Sequence, residues 1–142
     1  MNALDLSKVL PPTPPEIQSK IRQATEKIKP YEATFRVRMS HVLHAGMYAR
    51  TASIDAEMAF TSVLIKVPTI LIVKGECAVY AGDKWHLLSG YNVIAASAGR
   101  MQAYVTFSES EITMVFPTQA KTVEEAENEM SDEAENLLSR RA

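Results

Sequence analysis

The chain has 142 residues, 46% of them apolar and 23% charged, with a formal net charge of −2. That size buries enough surface to fold without disulfides or metals, and the composition is too apolar for wholesale disorder. The single cysteine, Cys77, excludes an internal disulfide framework and a four-cysteine zinc site; no secretory leader is visible, and the longest apolar stretch, residues 62–73, is broken by Lys66 and Pro68 and is too short for a bilayer.

Charge is uneven along the chain. Residues 1–50 hold eight Lys/Arg against four Asp/Glu, whereas residues 117–142 hold three against seven. No segment has the dense Lys/Arg with interleaved aromatics of a nucleic-acid-binding arm, so neither nucleic acid nor membrane is expected as a partner. Head and tail of opposite sign can attract each other, within one chain or between subunits.

Residues 1–12 lack periodicity and end in prolines, which predicts a flexible arm. Thr13-Pro14-Pro15-Glu16 reads as a helix start, with Thr13 as cap and Glu16 completing a capping box. Ile17, Ile21, Ala24 and Ile28 follow at helical spacing, and Pro30 ends the stripe. The stripe packs on the domain's own sheet or reaches a neighbouring subunit.

From residue 31 the period changes to two. Residues 34–39 alternate Phe35, Val37 and Met39 against Thr34, Arg36 and Arg38, the mark of a half-buried strand. Further β-rich runs cover 47–54, 59–65, 69–73, 76–80, 84–88, 91–95, 102–107 and 111–116. Gly75, Gly82, Gly90 and Gly99 punctuate them at spacings of seven, eight and nine residues, as in an antiparallel sandwich or barrel. No room is left for the helices of a doubly wound fold. Residues 119–142 return to helical spacing: Thr122 and Glu125 form a second capping box, and Val123, Ala126, Met130, Ala134 and Leu137 form a thin stripe expected to dock or to fray. The acidic Glu124, Glu125 and Glu127 suit the positive end of that helix.

Residues 48–130 resemble a family of small cupin-like jelly-roll proteins found in many bacteriophage genomes. The resemblance rests on Tyr48-Ala49-Arg50-Thr51, on Thr69-Ile70-Leu71-Ile72-Val73-Lys74-Gly75, on Ala81-Gly82-Asp83, on Ala96-Ser97-Ala98-Gly99 and on residues 122–130. It implies an all-β, antiparallel cupin-like jelly-roll barrel or sandwich, with an N-terminal helix and a C-terminal acidic helix. The periodicity along the chain sets the expected limits at 1–30 for the flexible arm plus short helix, 31–118 for the barrel and 119–142 for the acidic helix. The cupin metal signature asks for two histidines and a glutamate at places held here by Ser62, Leu64 and Pro68, and for a later histidine near Gln102. Those side chains offer no ligands of comparable strength, so no metal, no cofactor and no enzymatic activity are expected.

His41 and His44 are three apart, which on a helical turn would bring two imidazoles together, yet a third ligand is missing. Cys77 lies in an apolar strand and reads as an inert buried thiol. Lys66, Arg100, Gln102 and Tyr104 can line one mouth of the barrel and grip an anionic ligand, and Trp85 is a core or contact residue or a stacking platform. Two functions are therefore expected in order. The first is a non-catalytic homo-oligomer acting through protein contacts, virion-associated or cytoplasmic in the host, as a decoration, adaptor or tail-associated component with other virion proteins as partners. The second is a barrel that sequesters a small ligand such as a nucleotide or sugar.

Overall fold

A computed structural model describes residues 2–3, 9–34 and 37–141. After helix α1 (Pro15–Ile28) and one 3-10 turn, the chain runs through β2 (Val37–His44), β3 (Met47–Ile54), β4 (Ala59–Thr61), β5 (Thr69–Lys74), β6 (Cys77–Ala81), β7 (Lys84–Leu88), β8 (Tyr91–Ala96), β9 (Ala103–Thr106) and β10 (Ser110–Pro117). One sheet has the order β2-β3-β10-β5-β8; the other has β1-β7-β6-β9-β4, where β1 is Asn2–Ala3 and runs parallel to β7. The pairings among the described strands β2 to β10 are all antiparallel, and they are nested: β3 with β10, β4 with β9, β5 with β8, β6 with β7. A long two-stranded ribbon rolled up in this way is a jelly roll, so the all-β expectation holds.

Alternation along the strands puts one face of each sheet into a shared core. Leu71, Val73 and Ile94 from the first sheet meet Cys77, Val79, Leu88 and Tyr104 from the second. A second cluster closes one end of the barrel, where Tyr48, Ile65 and Phe116 pack against Ala126, Met130, Ala134 and Leu137 of the C-terminal segment. The apolar stripe expected there docks. It does so as a broken chain, with α2 (Val123–Met130), an extended Ser131, a 3-10 turn and α3 (Leu138–Arg141) instead of one long helix. The break lets Ala134 and Leu137 follow the curved barrel end, which a straight rod would leave. The second capping box forms in part: the Thr122 hydroxyl accepts from the Glu125 N–H as expected, but the Glu125 carboxylate accepts from the Lys121 N–H, one residue before the N-cap Thr122.

Several local expectations are corrected. Thr13 does not cap α1; Pro14 holds the cap position, and the Thr13 hydroxyl instead exchanges two hydrogen bonds with the Met101 backbone, at 3.0 and 2.8 Å. That staple replaces the cap because α1 is anchored by its buried Ile17 and Ile21 against Met101, with Leu64 and Tyr80 alongside, all within its own domain. Of the proposed arm, residues 1 and 4–8 lie outside the described residues, as do Phe35 and Arg36 of the first expected strand. Leu10, however, is buried and bridges to β8, its N–H donating to the Ala95 carbonyl. The run 59–65 keeps strand form only to Thr61, and β2 continues past residue 39 to His44.

Candidate functional site

The strand pattern that builds the barrel also leaves it incompletely filled. A cavity of about 260 Å³ opens between the two sheets, with the core at its floor and a mouth open to solvent between α1 and the C-terminal segment, where Arg22, Glu26 and Asn136 stand. Its apolar wall includes Met39, Ala52, Phe60, Ile65 and Ile112. Phe60 and Tyr104, opposite each other on β4 and β9, stack with ring centres 4.9 Å apart and planes within 10°. Its polar wall includes Arg50, Ser62, Arg100 and Gln102.

Chain geometry explains why Arg100, Gln102 and Tyr104 gather. Gly99, at φ +76°, turns the chain so that Arg100 bridges back to Ile65, the Ile65 N–H donating to the Arg100 carbonyl at 2.8 Å. From there a period of two carries positions 100, 102 and 104 along one face into β9. Arg100 Nε and the Tyr104 hydroxyl both donate to Gln102 Oε1, at 3.2 and 3.1 Å, which fixes the amide with its nitrogen turned away from both. Gln102 Nε2 is buried and has no hydrogen-bond partner. The Arg100 guanidinium donates also to the Ser97 carbonyl, the Thr69 hydroxyl and the Met114 thioether. Burial lowers the Arg100 pKa and raises that of Tyr104, which keeps the phenol neutral.

Of the five site residues expected from sequence, three therefore meet at the cavity and two do not. Lys66 is held on the surface by Asp132 at 2.5 Å. Trp85 is 38% exposed on β7, tilted against Tyr80 with ring centres 5.2 Å apart, so it lines no part of the cavity. The strand form of β2 also separates the histidine pair. Positions three apart on a strand point to opposite faces; His44 is exposed, and His41 Nδ1 lies 2.7 Å from the Tyr48 hydroxyl.

Sequence reasoning missed Arg50 and Glu127. Arg50 Nη1 donates to Glu127 at 2.6 Å, and Ser139 and Arg140 donate to the same carboxylate at 2.7 and 3.1 Å. Burial alone would raise the Glu127 pKa, but these hydrogen bonds and the Arg50 charge outweigh it and hold the carboxyl below its usual value. Both residues had a signal. Arg50 occupies the inward phase shared by Tyr48, Ala52 and Ile54, and Glu127 lies on the buried stripe between Val123 and Met130.

The metal set that the resemblance implies does not fit these side chains. Ser62 and Gln102 line the cavity, while Leu64 packs beside α1 and a buried guanidinium sits where a cation would have to approach. Neutral hydroxyl and amide groups bind a transition metal weakly, and Arg100 repels it. Among the described residues, no three His, Cys, Asp or Glu side chains converge. Cys77 is wholly buried, and desolvation followed by the nearby Glu76 pushes its thiol up to about 11.

No family model matches the sequence, and neither does any curated protein. Solved structures of similar shape include a cupin superfamily protein from Desulfitobacterium hafniense, with 13% identity, TM-score 0.49, and 59% of this chain and 79% of the other covered. KdgF from a Halomonas species shows 16% identity and TM-score 0.49 over 61% of this chain and 87% of its own. The lyase DddQ, acting on DMSP, from Ruegeria pomeroyi shows 13% identity and TM-score 0.45 over 62% and 50%. No helix among the described residues is long and apolar enough to cross a membrane.

Proposed function

We propose that this chain is a non-catalytic binding protein whose barrel holds one small organic molecule in a cleft open at one side. The cavity between the sheets carries the reading: it is a cleft open at one side that combines an apolar wall with a few convergent polar groups, the usual make-up of a small-molecule site. Scaled from the ~150 Å³ void that accepts benzene, it holds about ten non-hydrogen atoms. A nucleotide exceeds that, and a sugar would leave its hydroxyls against Phe60 and Ile112, so a compact, partly apolar molecule fits better than either ligand expected from sequence. The thiol and the histidine of β7 support a non-catalytic role. Cys77 is buried with a raised pKa, and His86 Nε2 is engaged with the Ala81 carbonyl at 2.9 Å.

Thermal unfolding of the full chain against small aromatic and aliphatic compounds tests this. A ligand at a hundred times its Kd stabilises by ~2.7 kcal/mol. Ala52→Leu fills the cavity and is expected to keep the fold while abolishing the shift. A panel that shifts neither protein overturns the reading.

A second reading, self-association as an assembly or virion component, is favoured by one observation. Val42, Ala49, Val115, Ile70 and Ala95 are in register across all five strands of the first sheet, forming an apolar row on its outer face. Val42 and Ile70 at its two sides are 55% and 48% exposed. A second copy of this chain is the occupant expected there, and solution mass by light scattering, with Ile70→Glu as the disrupting variant, decides it. A monomer at micromolar concentration removes this reading.

A further inference from the structure

Arg50 and Arg100 are both buried beside the cavity, but they are not equivalent. Arg50 is neutralised by Glu127 at 2.6 Å. Arg100 is 1% exposed, and among the described residues no carboxylate reaches it. Its donors go instead to four neutral acceptors: an amide oxygen, a carbonyl, a hydroxyl and, at 3.4 Å, the thioether of Met114. A thioether is a weak acceptor, and methionine is the side chain most easily moved aside. A buried charge without a counter-charge is among the most costly arrangements a core can keep. Gln102 adds a second unmet demand: its oxygen is used by Arg100 and Tyr104, while its nitrogen donates to nothing.

Resting on the small-molecule reading above, we infer that the ligand is a monocarboxylate with a compact apolar body. Its carboxylate displaces the Met114 sulfur, takes the Arg100 charge and accepts from Gln102 Nε2, while its apolar part lies against Phe60 and Ile112. One guanidinium matches one negative charge, whereas phosphate would bring up to two into a space this apolar. At the Arg100 end of the cavity the protein thus supplies the cation and the ligand the anion; the lining carboxylates Glu133 and Glu26 are already paired with Arg22 and Lys29.

The test separates charge from cavity. Calorimetry and thermal unfolding of the full chain are run with benzoate and hexanoate, their neutral amides benzamide and hexanamide, and inorganic phosphate. The carboxylates are expected to bind about tenfold or more tightly than the amides, as for a lost charge-assisted hydrogen bond. Gln102→Glu places an internal carboxylate beside Arg100 while keeping both hydrogen bonds to its oxygen. It is expected to raise the melting temperature of the free protein and to eliminate carboxylate binding. Arg100→Met is expected to equalise acid and amide. Equal binding of acids and amides to the unaltered protein overturns the anion inference and leaves the cavity reading standing, and so does tighter binding of phosphate. A lower melting temperature for Gln102→Glu overturns the anion inference whichever probes bind. Failure of all the probes to bind the unaltered protein overturns the cavity reading as well.

Discussion

Arg50 on β3 and Glu127 on α2 meet at 2.6 Å with both side chains 6% exposed, 77 residues apart in sequence. The contact ties the C-terminal segment to the inner face of the first sheet, and it realises inside one chain the attraction expected from a basic head and an acidic tail. Arg22 and Glu133, paired at 3.2 Å on the surface, do the same more weakly.

Breaking the buried pair from one side leaves an uncompensated charge. Glu127→Ala is expected to cost roughly 3–5 kcal/mol, because Arg50 and Arg140 lose their acceptor together. Arg22→Ala, at the exposed pair, should cost about 1 kcal/mol or less. Urea unfolding of both variants checks the contrast, and similar losses would refute it.

Acid should weaken the fold in two steps. Burial and then the Arg50 charge lower the His41 pKa below 6.5, with Glu127 opposing, so the unfolded chain takes up this proton first and stability falls as pH drops below about 6.5. Glu127, held below 4.5, contributes stability above that value and loses it as pH falls through its lowered pKa. Urea midpoints measured across this range should lose the upper step in His41→Gln and the lower step in Glu127→Gln.

Gly75 and Gly82 both have positive φ, at +126° and +60°, yet their surroundings differ. A Cβ on Gly75 would lie 2.5 Å from Ser110 Oγ and 2.9 Å from the Glu109 carbonyl, whereas one on Gly82 would meet nothing within 4 Å. Gly75→Ala is therefore expected to cost roughly 2–4 kcal/mol, and Gly82→Ala about 1 kcal/mol. Equal melting temperatures for the two variants would contradict this.

Cys77 should resist alkylation in the native protein, since the thiolate is the reactive form and burial holds its pKa near 11. Iodoacetamide labelling followed by mass spectrometry should show modification appearing only with urea unfolding. Rapid labelling under native conditions would mean that the β6 region opens readily.

The sequence by itself determined the period-two runs, the glycine turns between them and the two helical stripes, because alternation and backbone freedom are local properties. It also placed Arg100, Gln102 and Tyr104 on one face, for the same reason. Tertiary structure alone decided which charges are neutralised. Glu127 reads as a solvated helix residue until α2 folds onto β3, and Arg100 reads as a rim cation until Gly99 turns it inward against Ile65. Lys66 and Trp85 lie outside the cavity because residues 62–65 leave the strand path after Thr61 and because β7 turns Trp85 away from the core. Whether a buried charge finds a partner depends on which distant strands are nested together, and that pairing is a property of the whole rolled ribbon.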